Sequence, residues 1–141
     1  MTTSAPDNRL YVVVGLIKDS EGKLFIQQRR PGAPKAGKWE FPGGKREQGE
    51  TPQQALSREL QEELGIIVLS SKPLTVVTHD YQHANVWLDT YLITEFDRTP
   101  IGREGQTISW VDVDDPADLE KYDFLAAVFP ILEAYKSTAI D

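Results

Sequence analysis

Glu59, Glu62 and Glu63 stand three and four residues apart in the run RELQEEL, a spacing that sets three carboxylates on one face of a helix. Oxygen-only ligands suit hard cations such as Mg²⁺ or Mn²⁺, which also coordinate phosphate oxygens. A cation held there would screen the charge of a polyphosphate, orient it and lower the pKa of a bound water for in-line attack. A carboxylate left off the metal would take the water's proton as general base. The competing use of such a run is a solvated amphipathic helix with Arg58 paired to Glu62 at i+4. Three features weigh against it. Like charges at these spacings repel unless a cation lies between them, two of them fall near the helix C-terminus where the dipole disfavours anions, and a glycine-rich loop leads directly into the helix.

The elements that must position these carboxylates are marked in the sequence. Thr51 is placed to N-cap the helix, Pro52 fits its first turn, Gln54 completes a Thr-x-x-Gln capping box, and Gly65 ends it. Leu56, Leu60 and Leu64 form an apolar stripe roughly a quarter-turn from the acidic face, so one face packs while its neighbour presents oxygen. Upstream, LYVVVGLI at 10–17 reads as a buried central strand and LFIQQR at 24–29 as its hairpin partner across a DSEGK turn. The Gly- and Pro-rich stretch RPGAPKAGKWEFPGGK reads as a long shaped loop, a kind of segment that is often functional. Further strands are expected at 74–79, 86–94 and 108–113, and a last helix at 125–135, with a bend or a delayed start at Pro130. Strands interleaved with two helices imply an α/β or α+β layered domain. We expect a flexible lead-in at 1–9, one domain at 10–135 and a tail at 136–141.

Bulk properties narrow the function classes. Twenty-two acidic against 15 basic residues give a net charge of -7, which disfavours nucleic-acid polymers and anionic membranes but allows a small phosphate ligand where a cation inverts the local charge. The absence of cysteine excludes thiolate metal sites, disulfides and a cysteine nucleophile. MTTSAPDN lacks the pattern of a signal peptide and no stretch has the length of a membrane span, so a cytoplasmic location is expected. Nothing in the pattern chooses between monomer and homodimer.

The spacing itself carries a family resemblance: Gly44, five residues, Glu50, seven residues, then Arg58-Glu59-Leu60-Gln61-Glu62-Glu63-Leu64-Gly65-Ile66. This resembles the Nudix box at its defining positions. WEFPGGK, GETPQQA, RELQEELGI, the RR after the second strand and GREGQ at 102–106 further resemble the MutT group of the Nudix hydrolases, over about residues 10–132. The resemblance implies an α/β/α sandwich with a mixed β-sheet and a catalytic loop-helix-loop. It also implies Mg²⁺-dependent hydrolysis of a nucleoside triphosphate to monophosphate and pyrophosphate, with Mn²⁺ as a substitute. The candidate substrates are 8-oxo-dGTP, CTP or a modified dCTP, and nucleoside diphosphate sugars. Within that resemblance Glu59, Glu62, Glu63 and the Gly43 carbonyl are metal ligands. Arg58 orients the carboxylates, and Glu50 supports the loop or a metal-bound water. Glu104 is a further ligand or the general base, with Glu59 competing for that role. Arg29 and Lys45 are phosphate-side candidates. Phe41 and Trp39 stack on a base or seal the loop against the core, and Asp80 and Tyr81 fall where the group lines its base pocket. His79 and His83 are assigned structural or surface roles, and Glu47 a solvated one.

One position departs from the pattern. Where the group places a polar base-reading residue on its last helix, aligning the helix prolines puts Val128, which has no hydrogen-bonding group, with Asp123 or Tyr122 as alternative sources of the contact. Losing a contact built for a buried polar edge costs discrimination of about 10⁴, so the base is the open part of the reading. A nucleotide-sensing module on the same fold would be expected to lose one of Arg58, Glu59, Glu62 or Glu63. All four are present.

Overall fold

A computed structural model describes residues 4–138. In chain order its elements are β1 (Leu10–Ile17), β2 (Leu24–Gln28), β3 (Trp39–Glu40), β4 (Gly43–Lys45), α1 (Pro52–Leu64), β5 (Ile67–Asp80), β6 (Asn85–Asp97), β7 (Ile108–Val111), α2 (Pro116–Leu119) and α3 (Val128–Thr138). Four strands form a mixed sheet in the order β4-β1-β6-β5, with β1 parallel to β6 and the other pairs antiparallel. Three form an antiparallel sheet in the order β3-β2-β7.

Alternation along β1 builds two cores. Val13 and Ile17 face a cluster with Ala55, Leu56, Leu60 and Leu64 of α1, whereas Val14 and Leu16 face a cluster with Ala127, Val128, Ile131 and Leu132 around α3. Each leucine of the expected α1 stripe is 0% exposed. The helices therefore lie on opposite faces of the sheet, giving the expected α/β/α layering. Gly15 lets α1 close on β1, since a Cβ there would stand 2.9 Å from a Leu60 methyl.

The expected hairpin of the first two strands is corrected. Lys18 and Leu24 form a single bridge and the Asp19 N–H bonds the Lys23 carbonyl, but beyond that turn the strands part into different sheets. Both sides of β1 are taken, by β4 and β6, and β2 is flanked by β3 and β7. β5 begins at Ile67, seven residues before the expected run, with register shifts between Val68 and Ser70, Ser70 and Ser71, and Pro73 and Thr75. Polar residues and Pro73 at these irregular positions hide the strand from an apolar-run reading. The final helix starts late, at Val128, so that Pro130 occupies its first turn where its missing N–H is harmless, and it continues to Thr138. Of the lead-in expected at 1–9, residues 1–3 lie outside the described residues and residues 4–9 contact the domain. Ser4 bridges Leu10, Pro6–Asn8 make a 3-10 turn, and Arg9 Nη1 pairs with Asp80 at 2.8 Å. Among the described residues no helix is long and apolar enough to cross a membrane.

Candidate active site

The capping box forms as its residues imply: Thr51 Oγ1 accepts from the Gln54 N–H at 3.1 Å, and Gln54 Oε1 accepts from the Thr51 N–H at 2.9 Å. Gly65 ends α1 at φ 75, the left-handed conformation that glycine adopts without strain. Beyond it, residues 101–107 fold back on the helix C-terminus. The N–H groups of Ile101 and Arg103 bond the carbonyls of Leu64 and Glu63, both at 3.0 Å, and Gln106 Nε2 bonds the Glu63 carbonyl at 3.1 Å. These donors satisfy carbonyls that a helix end leaves orphaned, and they carry Glu104 toward the acidic face.

At the other side of that face lies β4, paired to β1 through Val14 with Gly43 and Val13 with Gly44. A Cβ at Gly43 would stand 2.0 Å from the Val13 carbonyl oxygen, and one at Gly44 would stand 2.2 Å from the Glu59 carboxyl carbon. The glycine pair thus lets the carboxylate face of α1 settle against strand backbone. The Gly43 N–H donates to Glu63 Oε2 at 3.2 Å.

Arg58 ties the carboxylates together. Its Nε and Nη2 grip the two oxygens of Glu50 at 2.7 and 2.9 Å, a bidentate charge-assisted pair. Nη1 donates to Glu59 Oε1 at 3.0 Å and lies 3.5 Å from Glu62 Oε2, while Nη2 reaches the Lys45 carbonyl at 3.1 Å. The guanidinium, helped by the Glu47 N–H, holds the Glu50 carboxyl down to about 2, and the Arg58 pKa is raised in return, chiefly by Glu50.

Glu63 and Glu59 carry the opposite stress. Burial, then the charges of Glu59, Glu104 and Glu40, push Glu63 up to about 9 against the pull of the Gly43 N–H. Burial also raises Glu59, opposed by Arg58 and reinforced by Glu62 and Glu104. Two half-buried carboxylates, Glu59 and Glu63, whose charged forms are disfavoured by burial and by acidic neighbours, make a site that positive charge stabilises. The donors are all oxygen and the glycine cradle leaves them room, so the residues fit a hard divalent cation. Each carboxylate here has its own partner, Glu59 and the exposed Glu62 on Arg58 and Glu63 on Gly43. Among the described residues no three acidic or histidine side chains converge as a ready-made ion cage.

Glu40 belongs to this site and was not singled out in the sequence. It lies in β3, paired to Arg29 Nη1 at 3.0 Å, and burial raises its pKa despite that arginine. The signal was available: a glutamate between Trp39 and Phe41 in an apolar stretch is a candidate buried charge. Arg29 also donates from Nε to the Pro34 carbonyl at 2.6 Å. Arg30 holds the Glu104 carbonyl at 2.8 Å, and the Glu104 N–H bonds Gln106 Oε1 at 3.0 Å, fixing that loop.

A cavity of about 590 Å³ opens beside the carboxylates. Apolar side chains line it, Val12, Val14, Leu88 and Val128 among them, together with Arg29, Glu40, Gly43, Gly44, Lys45 and Glu63. Phe41 contributes to the wall while being only 5% exposed, so it both seals the core and faces the cavity. Tyr81 lines the cavity and accepts the Ala127 N–H on its hydroxyl at 3.0 Å. His83, read as structural or surface from sequence, stacks on Tyr81 with ring centres 5.3 Å apart and also lines the cavity. Burial, then Arg29 and Lys35, lower its pKa. Asp80 is not brought into the cavity: it is exposed and paired to Arg9. Tyr122 and Asp123 also lie outside it, on Ser109 and Lys38 respectively.

Comparison with known proteins gives the same outline. A family model described as NUDIX domain matches residues 13–134. The chain is similar to the 8-oxo-dGTP diphosphatase of Escherichia coli, 35% identical over 128 residues that span 91% of this chain and 97% of that one. It is also similar to the CTP pyrophosphohydrolase of Escherichia coli, 32% identical over 127 residues spanning 90% and 92% of the two chains. A solved structure from a study of MutT from Aliivibrio salmonicida and Vibrio cholerae is 40% identical. It covers 89% of this chain and 94% of that one, with a TM-score of 0.73.

Proposed function

The chain belongs to the Nudix hydrolases, and from that premise we propose that it cleaves nucleoside triphosphates to the monophosphate and pyrophosphate with Mg²⁺ or Mn²⁺ bound. The observation that carries this reading is that one cavity of about 590 Å³ is lined both by apolar side chains that suit a nucleobase and by Gly43, Gly44 and Glu63. Glu62, Glu63 and the Gly43 carbonyl would hold the cation, joined by whichever of Glu59 and Glu104 does not serve as the general base. The bound cation supplies charge neutralisation of the polyphosphate and a lowered water pKa. The chain's own residues supply the rest. Arg58, fixed by Glu50, aims the carboxylates; Arg29 and Lys45 face the phosphates from the cavity rim; Glu59 or Glu104 accepts the water's proton. Trp39 has a packing role, since its ring meets Tyr122 edge-on with centres 5.0 Å apart.

Among triphosphates, 8-oxo-dGTP is the first candidate, as several relatives bear that name. A cytidine triphosphate is a second reading. It is favoured by the similarity to a CTP pyrophosphohydrolase; Val128 offers no polar group to either a purine or a cytosine edge and so selects neither. The test is kcat/KM over normal and oxidised triphosphates, CTP analogues and nucleotide sugars with Mg²⁺ and Mn²⁺, scored for the released product. Pyrophosphate released from one triphosphate class well above the rest is the expected result. A nucleotide sugar as the best substrate, or orthophosphate as the product, would overturn it.

A further inference from the structure

A second polar cluster lies outside the cavity, on the α1 side of the mixed sheet. Asp89 of β6, 9% exposed, accepts two tyrosine hydroxyls on one carboxylate oxygen, Tyr11 at 2.5 Å and Tyr91 at 2.9 Å. A carboxylate in such surroundings is costly unless fully hydrogen-bonded, and apolar side chains of similar size would pack there at least as well. Burial and the Asp89 contact push the Tyr11 hydroxyl up to about 12, so it stays a donor. The Tyr11 ring in turn carries Arg46, whose guanidinium carbon stands 4.7 Å from the ring centre. Arg46 donates its backbone N–H to the Tyr11 carbonyl at 3.0 Å and its Nε to the Glu50 carbonyl at 2.8 Å. None of residues 46–50 is buried, so polar ties rather than core packing fix this turn.

We propose that Tyr11 and Arg46, anchored by Asp89, are positioning residues for hydrolysis: they fix the backbone of Glu50 so that its carboxylate meets the Arg58 fork, which aims Glu59. The line runs Asp89, Tyr11, Arg46, Glu50, Arg58, Glu59, crossing from β6 through β1 to α1, with a contact at each step. It rests on the reading of Glu59 and its neighbours as the catalytic carboxylates. Outer partners that orient metal ligands are typically worth about 10- to 100-fold in metal affinity or activity.

The experiment compares Arg46→Met, Tyr11→Phe, Glu50→Gln and the Arg46→Met/Glu50→Gln pair. The readouts are kcat and KM on the best triphosphate, Mn²⁺ affinity by titration calorimetry without substrate, and Tm. Arg46→Met is expected to lower kcat about tenfold with KM little changed, and to weaken Mn²⁺ binding by a comparable factor. Tyr11→Phe keeps the ring and leaves Asp89 the Tyr91 donor, so it should fold and show a smaller loss of the same kind. Because Arg46 acts through Glu50, the pair should be no slower than Glu50→Gln alone. Wild-type turnover in Arg46→Met and Tyr11→Phe beside an impaired Glu50→Gln would overturn the proposal while leaving the site reading intact, as would losses that multiply in the pair. Full turnover in Glu50→Gln would overturn this proposal alone, whereas full turnover in Glu59→Gln, measured alongside, would overturn the site reading on which it rests.

Discussion

Gly44 is where a single atom decides the site. It does not occupy a positive-φ conformation, so alanine is compatible with its backbone, yet the added methyl would stand 2.2 Å from the Glu59 carboxyl carbon. The atom in the way is the end of a flexible side chain, and the structure accommodates the methyl by moving Glu59. Gly44→Ala is therefore expected to leave Tm nearly unchanged while kcat falls about 100-fold, the scale of a displacement of about 1 Å in a reacting group; a thermal melt with steady-state kinetics checks both. Val128 is the corresponding residue proposed for the base. It is 3% exposed at the start of α3 and lines the cavity. Val128→Asn supplies a donor and an acceptor there, so the ratio of kcat/KM between purine and pyrimidine triphosphates should shift by about tenfold or more. Some stability is lost if the amide goes unpaired, about 1–3 kcal/mol. An unchanged ranking would remove Val128 from base recognition.

The carboxylate helix is the element most fully legible in the sequence, because each of its determinants is local. The cap, the proline, the leucine stripe and the terminal glycine act within the helix, and all reappear where the spacing predicts. Thr51→Ala removes the hydroxyl that accepts the Gln54 N–H, while the backbone N–H of residue 51 can still donate to Gln54 Oε1, and the loss is expected to cost about 1 kcal/mol. Kinetics should stay close to wild type, since the leucines and the Arg58 fork still hold the acidic face; loss of turnover beyond the loss of folded protein would show the cap acting on the site. Elements set by distant partners were less legible. Strands β3 and β4 sit inside what reads as one loop, because two- and three-residue strands with glycines carry no period. Glu40 is signalled by its neighbours Trp39 and Phe41, but its place in the site comes from its strand partner and Arg29, and His83 entered the cavity through the β5 to β6 turn that brings it beside Tyr81. The hairpin expectation for β1 and β2 failed because strand pairing depends on which neighbours compete for an edge, and local alternation does not encode that.

At the scale of the whole molecule, the two cores on opposite faces of the sheet are stable scaffolding for a site that works against stability. Glu63 is pushed up to about 9 by burial and its acidic neighbours, well above the ordinary carboxylate value of the unfolded chain. A group raised on folding stabilises the folded state fully below its unfolded pKa, and that contribution is lost as pH rises toward the folded value. The metal-free protein should therefore lose stability at Glu63 from about pH 4.5 up to about 9, as the unfolded chain ionises this carboxyl while the folded protein keeps it protonated beside Glu59 and Glu104. A divalent cation competes with that proton and supplies the missing positive charge, so it should bind more tightly and stabilise more as pH rises. Thermal melts across this range, with chelator and with saturating Mg²⁺, should diverge toward high pH. Glu63→Gln, which cannot ionise, should flatten the chelator curve and reduce the divergence. Parallel curves for the parent protein with and without Mg²⁺ would mean that the carboxylates of α1 do not hold the cation, whatever their spacing.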